Sequence, residues 1–163
     1  LLIANEEDCE DVLGIRAERS DVRWGQLDVT RYPDVARQVV AQFPNLGMVA
    51  TTLRQSVSAS HNNWGAMLYE AATDKPIYAP RADDEYQPYE IRNIVDRVGG
   101  GDAFSAGLIF ALNNDEYSTT KDALDFAVAA SCLAHSIKGD FNHCSRAEVD
   151  ALVQGSGSGR VVR

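Results

Sequence analysis

The chain has 163 residues, of which 45% are hydrophobic, and its Lys+Arg 15 against Asp+Glu 24 give a net charge of −9. This size and composition suit one globular domain, while the negative charge and the lack of a basic cluster exclude a nucleic acid or an anionic membrane as a partner. No apolar run is long enough for a membrane span. The 3 cysteines form no CxxC pair, which indicates a reducing compartment, and we expect a cytoplasmic protein.

The first residues, Leu1–Ala4, predict the end of a buried strand, and the chain has no initiator Met. We therefore expect the chain to start inside a longer protein. Asn5 is predicted to cap a short helix that has Asp8 in its first turn. A strand that runs straight into a helix places both side chains at the carboxyl edge of a sheet, where ligands bind in open α/β folds. The alternative is that they form only a capping box.

The next elements are a helix that starts at Pro33 and stops at Pro44, and a short buried strand over Met48–Leu53. The order strand, helix, strand is typical of a parallel sheet. The polar run 54–63 then leaves the strand at the same ligand edge. Arg54 is placed there to neutralise a polyphosphate, and a solvated surface arginine is the alternative.

Two apolar runs, Trp64–Glu70 and Pro76–Pro80, predict a hairpin, and the run Tyr89–Asp96 predicts a strand that leads to a glycine-rich turn. Asp96 is the one acid in that run with apolar neighbours around it. It either holds the turn by accepting backbone amide groups or helps to bind a cation; we leave both interpretations open.

The glycine-rich turn consists of Gly99, Gly100 and Gly101, and Asp102 follows it at the start of an apolar helix. Glycines let backbone amides approach a ligand closely, and a helix N-terminus adds partial positive charge, so this turn predicts an anion site. A lone carboxylate gains nothing from facing a phosphate unless it accepts a proton. The pattern therefore indicates a general base beside a phosphate cradle, as phosphoryl transfer requires.

A second helix is predicted from Thr119 or Thr120 to Gly139, and its section 127–132 carries small side chains. They either leave room for a flat ligand such as adenine or allow close helix packing. Ser145 opens a capping box for a last helix, and residues 155–163 are predicted to be a flexible tail.

The run Asp96–Phe104 resembles the C-terminal signature of the ribokinase-like (PfkB) carbohydrate kinases, whose usual pattern is Asp-Thr-x-Gly-Ala-Gly-Asp-x-Phe. Further similarities occur in the family's order along the chain. Asn5–Asp8 resembles its Asn-x-x-Glu motif, Thr52-Leu53 resembles its Thr-Leu-Gly strand end, and Ile137–Gly139 resembles the close of its adenine-side helix. These similarities span nearly the whole chain.

The departures from that pattern are similar to one subgroup of the family. Arg97 stands where Thr is common, Gly100 stands for Ala, and the run 135–142 and the C-terminal residues 159–163 look like those of bacterial 2-keto-3-deoxygluconate kinases. The resemblance implies ATP-dependent phosphorylation of a sugar acid, 2-keto-3-deoxygluconate, to its 6-phosphate, with Mg²⁺ as cofactor and K⁺ in some members.

The resemblance also implies a three-layer α/β fold with a mainly parallel sheet and an antiparallel hairpin. Residues 1–154 would be the nucleotide-binding, catalytic part, and the N-terminal half with the lid and the sugar contacts would be absent. Asp102 would be the base, and the amides of Gly99, Gly100 and Gly101 would form the anion hole. The remaining implied contacts are with ATP (Asn5, Thr52, Arg54 and Val128), with Mg²⁺ through water (Asp8) and with a monovalent cation (Asp96).

Two other hypotheses stay open from the sequence. The chain is either a nucleotide-binding fragment without turnover, or part of a kinase for another sugar or a nucleoside. Because removal of a first half exposes a sheet edge or core, we also expect that the chain needs its N-terminal half or associates with another copy of itself.

Overall fold

A computed structural model describes residues 1–5, 7–16 and 29–155 of the chain. The predicted tail lies outside these residues, except for Gly155. The described helices are α1 (Asp8–Leu13), α2 (Tyr32–Gln42), α3 (Gly100–Leu112), α4 (Thr120–Ala134) and α5 (Arg146–Val153). The described strands are β1 (Leu2–Ala4), β2 (Met48–Ser58), β3 (His61–Glu70), β4 (Lys75–Ala79), β5 (Arg81–Ala82), β6 (Glu85–Tyr86) and β7 (Tyr89–Arg92).

Strand β3 lies at the centre of the main sheet. It pairs with β2 on one side, and on the other side with β4 at its C-terminal end and with β7 at its N-terminal end. Strand β1 extends the sheet beyond β2, and Leu2 lies beside Val49 in that pair. Strands β5 and β6 form a separate antiparallel pair.

The α/β fold class is confirmed, but the antiparallel part of the sheet is larger than the predicted hairpin. Among the described strands only β1 and β2 run parallel; the pairings of β3 with β2, β4 and β7 are antiparallel. The reason is the length of the connections. The chain needs only residues 59–60 to pass from β2 to β3, and a parallel neighbour would require a crossover of a dozen or more residues.

Helices cover both faces of the sheet, which confirms the three-layer arrangement. Alternate residues of β2 and β3 point to opposite faces because the side-chain period of a strand is two. The face toward α2 and the face toward α3 and α4 form separate buried clusters. The first includes Ala36, Val39, Val49, Leu53, Met67 and Tyr69, and the second includes Ala50, Trp64, Ala66, Leu68, Phe104, Leu108, Leu124 and Val128.

The polar run 54–63, predicted to follow the strand that ends at Leu53, is itself strand and turn. Strand β2 continues to Ser58, with Arg54 opposite Trp64 and Gln55 opposite Asn63. The residues from Arg54 to Ser58 are exposed or half-buried, so no apolar alternation marks them as strand in the sequence. Strand β7 ends earlier than predicted, at Arg92, because Asn93 adopts a left-handed conformation with φ 60°.

The helix predictions are confirmed except at some of their ends. Helix α4 ends at Ala134, five residues before the predicted end at Gly139. The capping boxes Thr119–Asp122 and Ser145–Glu148 open α4 and α5 as expected, and Pro33 lies in the first turn of α2. The helix predicted to open at Asp102 begins two residues earlier, at Gly100. Among the described helices, none is both long enough and apolar enough to span a bilayer.

Candidate functional site

The glycine-rich turn forms the N-terminus of α3. Gly99 caps the helix in the left-handed conformation, with φ 77°, and the amide of Ala103 donates the first helical hydrogen bond to the Gly99 carbonyl at 2.8 Å. The amides that precede Ala103 have no carbonyl of an earlier helical turn to bind, so they are available to an anion. Asp102 lies exposed in this first turn.

The structure gives a different reason for glycine at each of the positions 99, 100 and 101. A Cβ atom on Gly99 would lie 2.4 Å from the Asp140 carbonyl oxygen, and one on Gly100 would lie 3.1 Å from Cε1 of His135. A Cβ atom on Gly101 would meet nothing within 4 Å. Packing of the protein therefore explains the first two glycines, whereas at Gly101 the open space leaves close approach of a ligand as the reason for glycine.

Helix α4 holds the turn from behind. The Ser131 hydroxyl, which is fully buried, donates to the Gly100 carbonyl at 2.6 Å. The His135 carbonyl accepts from the amide of Val95 at 2.9 Å, and the His135 ring places Nδ1 2.8 Å from the Ser131 carbonyl. Burial, as the main cause, lowers the pKa of His135, which is 3% exposed. The imidazole is accordingly neutral at pH 7, with Nδ1 as the donor.

Asp96 holds the loop before the turn. Its carboxylate accepts from the amides of Arg97 at 2.7 Å, Val98 at 3.2 Å and Gly139 at 2.9 Å. These backbone hydrogen bonds, led by the one from Gly139, lower the pKa of the Asp96 carboxyl. The structure thus shows the loop-holding role that the sequence left open for this residue.

Asn5 and Asp8 cap the start of α1 reciprocally. Asn5 Oδ1 accepts from the amides of Glu7 at 2.7 Å and Asp8 at 2.9 Å, and Asp8 Oδ2 accepts from the Asn5 amide at 2.7 Å. The residue that directly precedes the helix is Glu7, so the capping side chain of Asn5 lies two positions before the usual capping position. The capping alternative is therefore present in the structure for both residues.

A cavity of about 190 Å³ lies between the sheet and the N-terminus of α3. It brings together the C-terminal end of β1, the middle of β2, the N-terminal part of β3, the glycine-rich turn and the C-terminal end of α4. No carboxylate side chain lines it. The lining residues are Asn5, Thr52, Arg54, Asn62, Trp64, Arg97, Gly100, Gly101 and His135.

Several residues predicted for the site do not line this cavity. Val128 is 0% exposed and lies in the core against α3, so its side chain is not available to a nucleotide, and close helix packing explains it. Asp8 and Asp96 are engaged in the backbone contacts given above. Asp102 lies next to Gly101, one residue beyond the lining. Among the described residues, no three His, Cys, Asp or Glu side chains are grouped to hold a metal ion.

No family model matches the sequence, and a search of curated proteins also finds no match. Solved structures do match. The 2-dehydro-3-deoxygluconokinase of Thermotoga maritima superposes with a TM-score of 0.75 and 39% identity, over 94% of this chain and 41% of that chain. A PfkB family carbohydrate kinase from Listeria grayi superposes with a TM-score of 0.69 and 25% identity, over 94% of this chain and 41% of that one.

The chain is thus similar in sequence and fold to carbohydrate kinases, one of them of the PfkB family. It spans 41% of the length of each of those two kinases. A chain from Enterococcus faecalis with 22% identity and a TM-score of 0.68, which covers 99% of this chain and 43% of its own length, shares the fold.

Four residues line the cavity although sequence reasoning missed them: Asn62, Trp64, Arg97 and His135. Trp64 and Asn62 were hidden because the polar run before Trp64 reads as a loop. Arg97 was noted only as a departure from the family pattern; its Nη2 donates to the carbonyls of Ser58 and Ala59 at 3.1 Å and 2.9 Å. No short-range pattern marks Asn62 and Trp64 as site residues, because their position in the site follows from the pairing of β3 with β2.

Proposed function

We propose that the protein containing this chain catalyses the ATP-dependent phosphorylation of a sugar acid, 2-keto-3-deoxygluconate, at its primary hydroxyl group to give the 6-phosphate. The observation that carries this proposal is the position of Asp102, an exposed carboxylate in the first turn of α3, directly after the glycine-rich turn. The 39% identity to the T. maritima 2-dehydro-3-deoxygluconokinase supports the choice of substrate.

Asp102 acts as the general base. It takes the proton of the sugar hydroxyl as the hydroxyl oxygen forms a bond to the γ-phosphorus, and the bond from that phosphorus to the leaving ADP oxygen breaks. The amides of Gly99, Gly100, Gly101 and Asp102, at the positive end of α3, stabilise the negative charge on the transferred phosphoryl group.

The cavity supplies the contacts to the phosphate chain. Thr52 and Arg54 on β2 and Asn5 after β1 offer a hydroxyl, a guanidinium and an amide, and they line the cavity together with Gly100 and Gly101. The described residues fit an anion because the cavity is rich in donors and has no carboxylate in its lining. Val128 has no part in this proposal, since its side chain is fully buried.

Mg²⁺ would neutralise charge on the phosphates, and it usually keeps several waters and takes few protein ligands. One oxygen of Asp8 is committed to the Asn5 amide, so we assign Asp8 a contact with Mg²⁺ through water only. Asp96 is the residue proposed to bind K⁺. Such an ion would further stabilise a loop that three amide hydrogen bonds to the Asp96 carboxylate already hold. A cytoplasmic location is part of the same proposal, since ATP and sugar acids are cytoplasmic metabolites.

The test uses the longest encoded form of the protein. A coupled assay measures ADP release with 2-keto-3-deoxygluconate, ribose and adenosine, and calorimetry measures binding of a non-hydrolysable ATP analogue. We expect kcat/KM for the sugar acid to exceed that for the other two by about tenfold or more. Binding of the analogue without turnover on any of them would support a nucleotide-binding module instead, and turnover on ribose or adenosine alone would reject the substrate.

A further inference from the structure

The floor of the cavity carries buried polar groups that have no hydrogen-bond partner among the described residues. Asn62 is 0% exposed, and both its Nδ2 and its Oδ1 lack a partner; Trp64 is 5% exposed, and its indole Nε1 lacks one. Both side chains line the same cavity as the glycine-rich turn. Buried polar groups in native proteins are almost always paired with protein, ordered water or a ligand, so a water molecule or a bound group completes this floor.

Asn62 and Trp64 lie two positions apart on β3, so their side chains share one face of the sheet. Arg54 is the direct neighbour of Trp64 on β2. Arg97 is held at the rim by the carbonyls of Ser58 and Ala59. The floor therefore lines the same cavity as two guanidinium groups and the N-terminus of α3.

The balance of hydrogen-bond donors and acceptors in the cavity lining favours a bound group with negative charge. The indole N–H and the amide NH₂ of the floor, the two guanidinium groups and the amides of the glycine-rich turn are all donors. They outnumber side-chain acceptors such as Asn62 Oδ1 and Nε2 of the neutral His135, which line the same cavity. In the cavity lining, no carboxylate offsets these donors. A cavity of about 190 Å³ has room for a tetrahedral oxyanion.

We propose that Asn62 and Trp64 form an inner oxyanion subsite, in which Asn62 Nδ2 and Trp64 Nε1 donate hydrogen bonds to a phosphoryl oxygen while the glycine-rich turn binds the other oxygens. Asn62 Oδ1 accepts from a water molecule or from the O–H of hydrogen phosphate. The identity of this group as the transferred phosphoryl rests on the proposed function; the subsite itself binds inorganic phosphate.

The test is a calorimetric titration of the longest encoded form of the protein with inorganic phosphate, without sugar or ATP. Asn62→Asp places a negative charge in the floor with almost no change in shape, and we expect it to weaken phosphate binding at least about tenfold. Asn63→Asp is the matched control. Asn63 is the next residue on β3, and its side chain donates to Gln55 Oε1 at 2.9 Å, on the other face of the sheet. This variant should retain an affinity within about threefold of the original.

A second variant keeps the test decisive if Asn62→Asp does not fold, as judged by circular dichroism. Trp64→Phe retains an aromatic ring next to His135, whose ring centroid lies 4.9 Å from that of Trp64, and removes the indole donor together with one ring of the bicyclic side chain. We expect it to weaken phosphate binding about three- to tenfold. No phosphate binding by the unmodified protein, or unchanged affinity in Trp64→Phe, would mean that the floor holds only ordered water and would overturn the proposal. Because the titration needs no sugar, its result does not depend on the assay of sugar phosphorylation.

Discussion

His135 connects three parts of the site through one residue. Its carbonyl holds the loop at Val95, its ring nitrogen is hydrogen-bonded to the Ser131 carbonyl, and its ring edge packs on Trp64. The glycine at position 100 leaves room for this ring. Such a residue must stay neutral, because a second ring proton would bring a buried charge close to the positive groups of Arg97 and Arg54.

The buried histidine predicts a dependence of stability on pH. The pKa of His135 is lowered in the folded state from its ordinary value of 6.5, mainly by burial. Below that pH the unfolded chain binds a proton that the folded chain does not, so the free energy of unfolding should fall between about pH 7.5 and about pH 5.5. Urea titrations at both pH values measure this change in the free energy of unfolding.

The matched variants for that measurement are His135→Gln and His143→Gln. His135→Gln removes the buried imidazole and should flatten the dependence on pH, whereas His143→Gln changes an exposed residue and should leave it unchanged. Identical pH dependence in the unmodified protein and in His135→Gln would show that another group is responsible.

At the scale of elements, α3 and α4 together form the proposed anion site. Helix α3 supplies the amides, and α4 fixes them through the buried hydroxyl of Ser131. Gly107 allows the two helices to approach closely, since a Cβ atom on it would lie 3.1 Å from the Cα of Ala127. The small side chains of α4, for which a ligand and close packing were both open, are thus explained by packing.

The glycine-rich turn should respond differently to alanine at its two ends. Gly99→Ala forces a Cβ atom into a left-handed residue 2.4 Å from the Asp140 carbonyl oxygen, and we expect it to lower the free energy of unfolding by about 1–3 kcal/mol. Gly101→Ala meets open space, so its effect should stay within about 0.5 kcal/mol while the affinity for an ATP analogue falls. Urea unfolding and calorimetry test the pair, and equal destabilisation by both would contradict this explanation of the turn.

For the whole molecule, the elements with clear local signals were predictable from the sequence. The capping boxes at Thr119 and Ser145, the hairpin after Trp64 and the glycine-rich turn all follow from short-range preferences that the fold keeps. The continuation of β2 to Ser58 was not predictable, because its polar residues carry no alternation. That strand is set by its pairing with β3, which is a property of the tertiary structure.

The candidate site was predictable on its phosphate side and not at its floor. Gly100, Gly101, Asn5, Thr52 and Arg54 meet at one cavity as their positions at turns and strand ends suggested. Asn62 and Trp64 enter the site only through the register of β2 with β3, and Ser131 and His135 enter only through the packing of α4 behind the turn. Neither arrangement leaves a local pattern in the sequence.

The net charge of −9 repels a polyanion from most of the molecular surface. The proposed binding of ATP therefore depends on hydrogen-bond donors and positive groups at the site itself. The central claim is that Asp102 then uses this site for proton transfer. Its test compares Asp102→Asn with Asp115→Asn, an exposed acid in the turn after α3, in the longest encoded form of the protein.

The decisive measurement is kcat for phosphorylation of 2-keto-3-deoxygluconate, made beside the affinity for the ATP analogue. We expect Asp102→Asn to lower kcat by about 10²–10⁴-fold, since it removes the proton acceptor, while the affinity for the analogue changes by less than about threefold. Asp115→Asn should leave both values unchanged. Near-normal turnover in Asp102→Asn would contradict the assignment of the base and, with it, the mechanism.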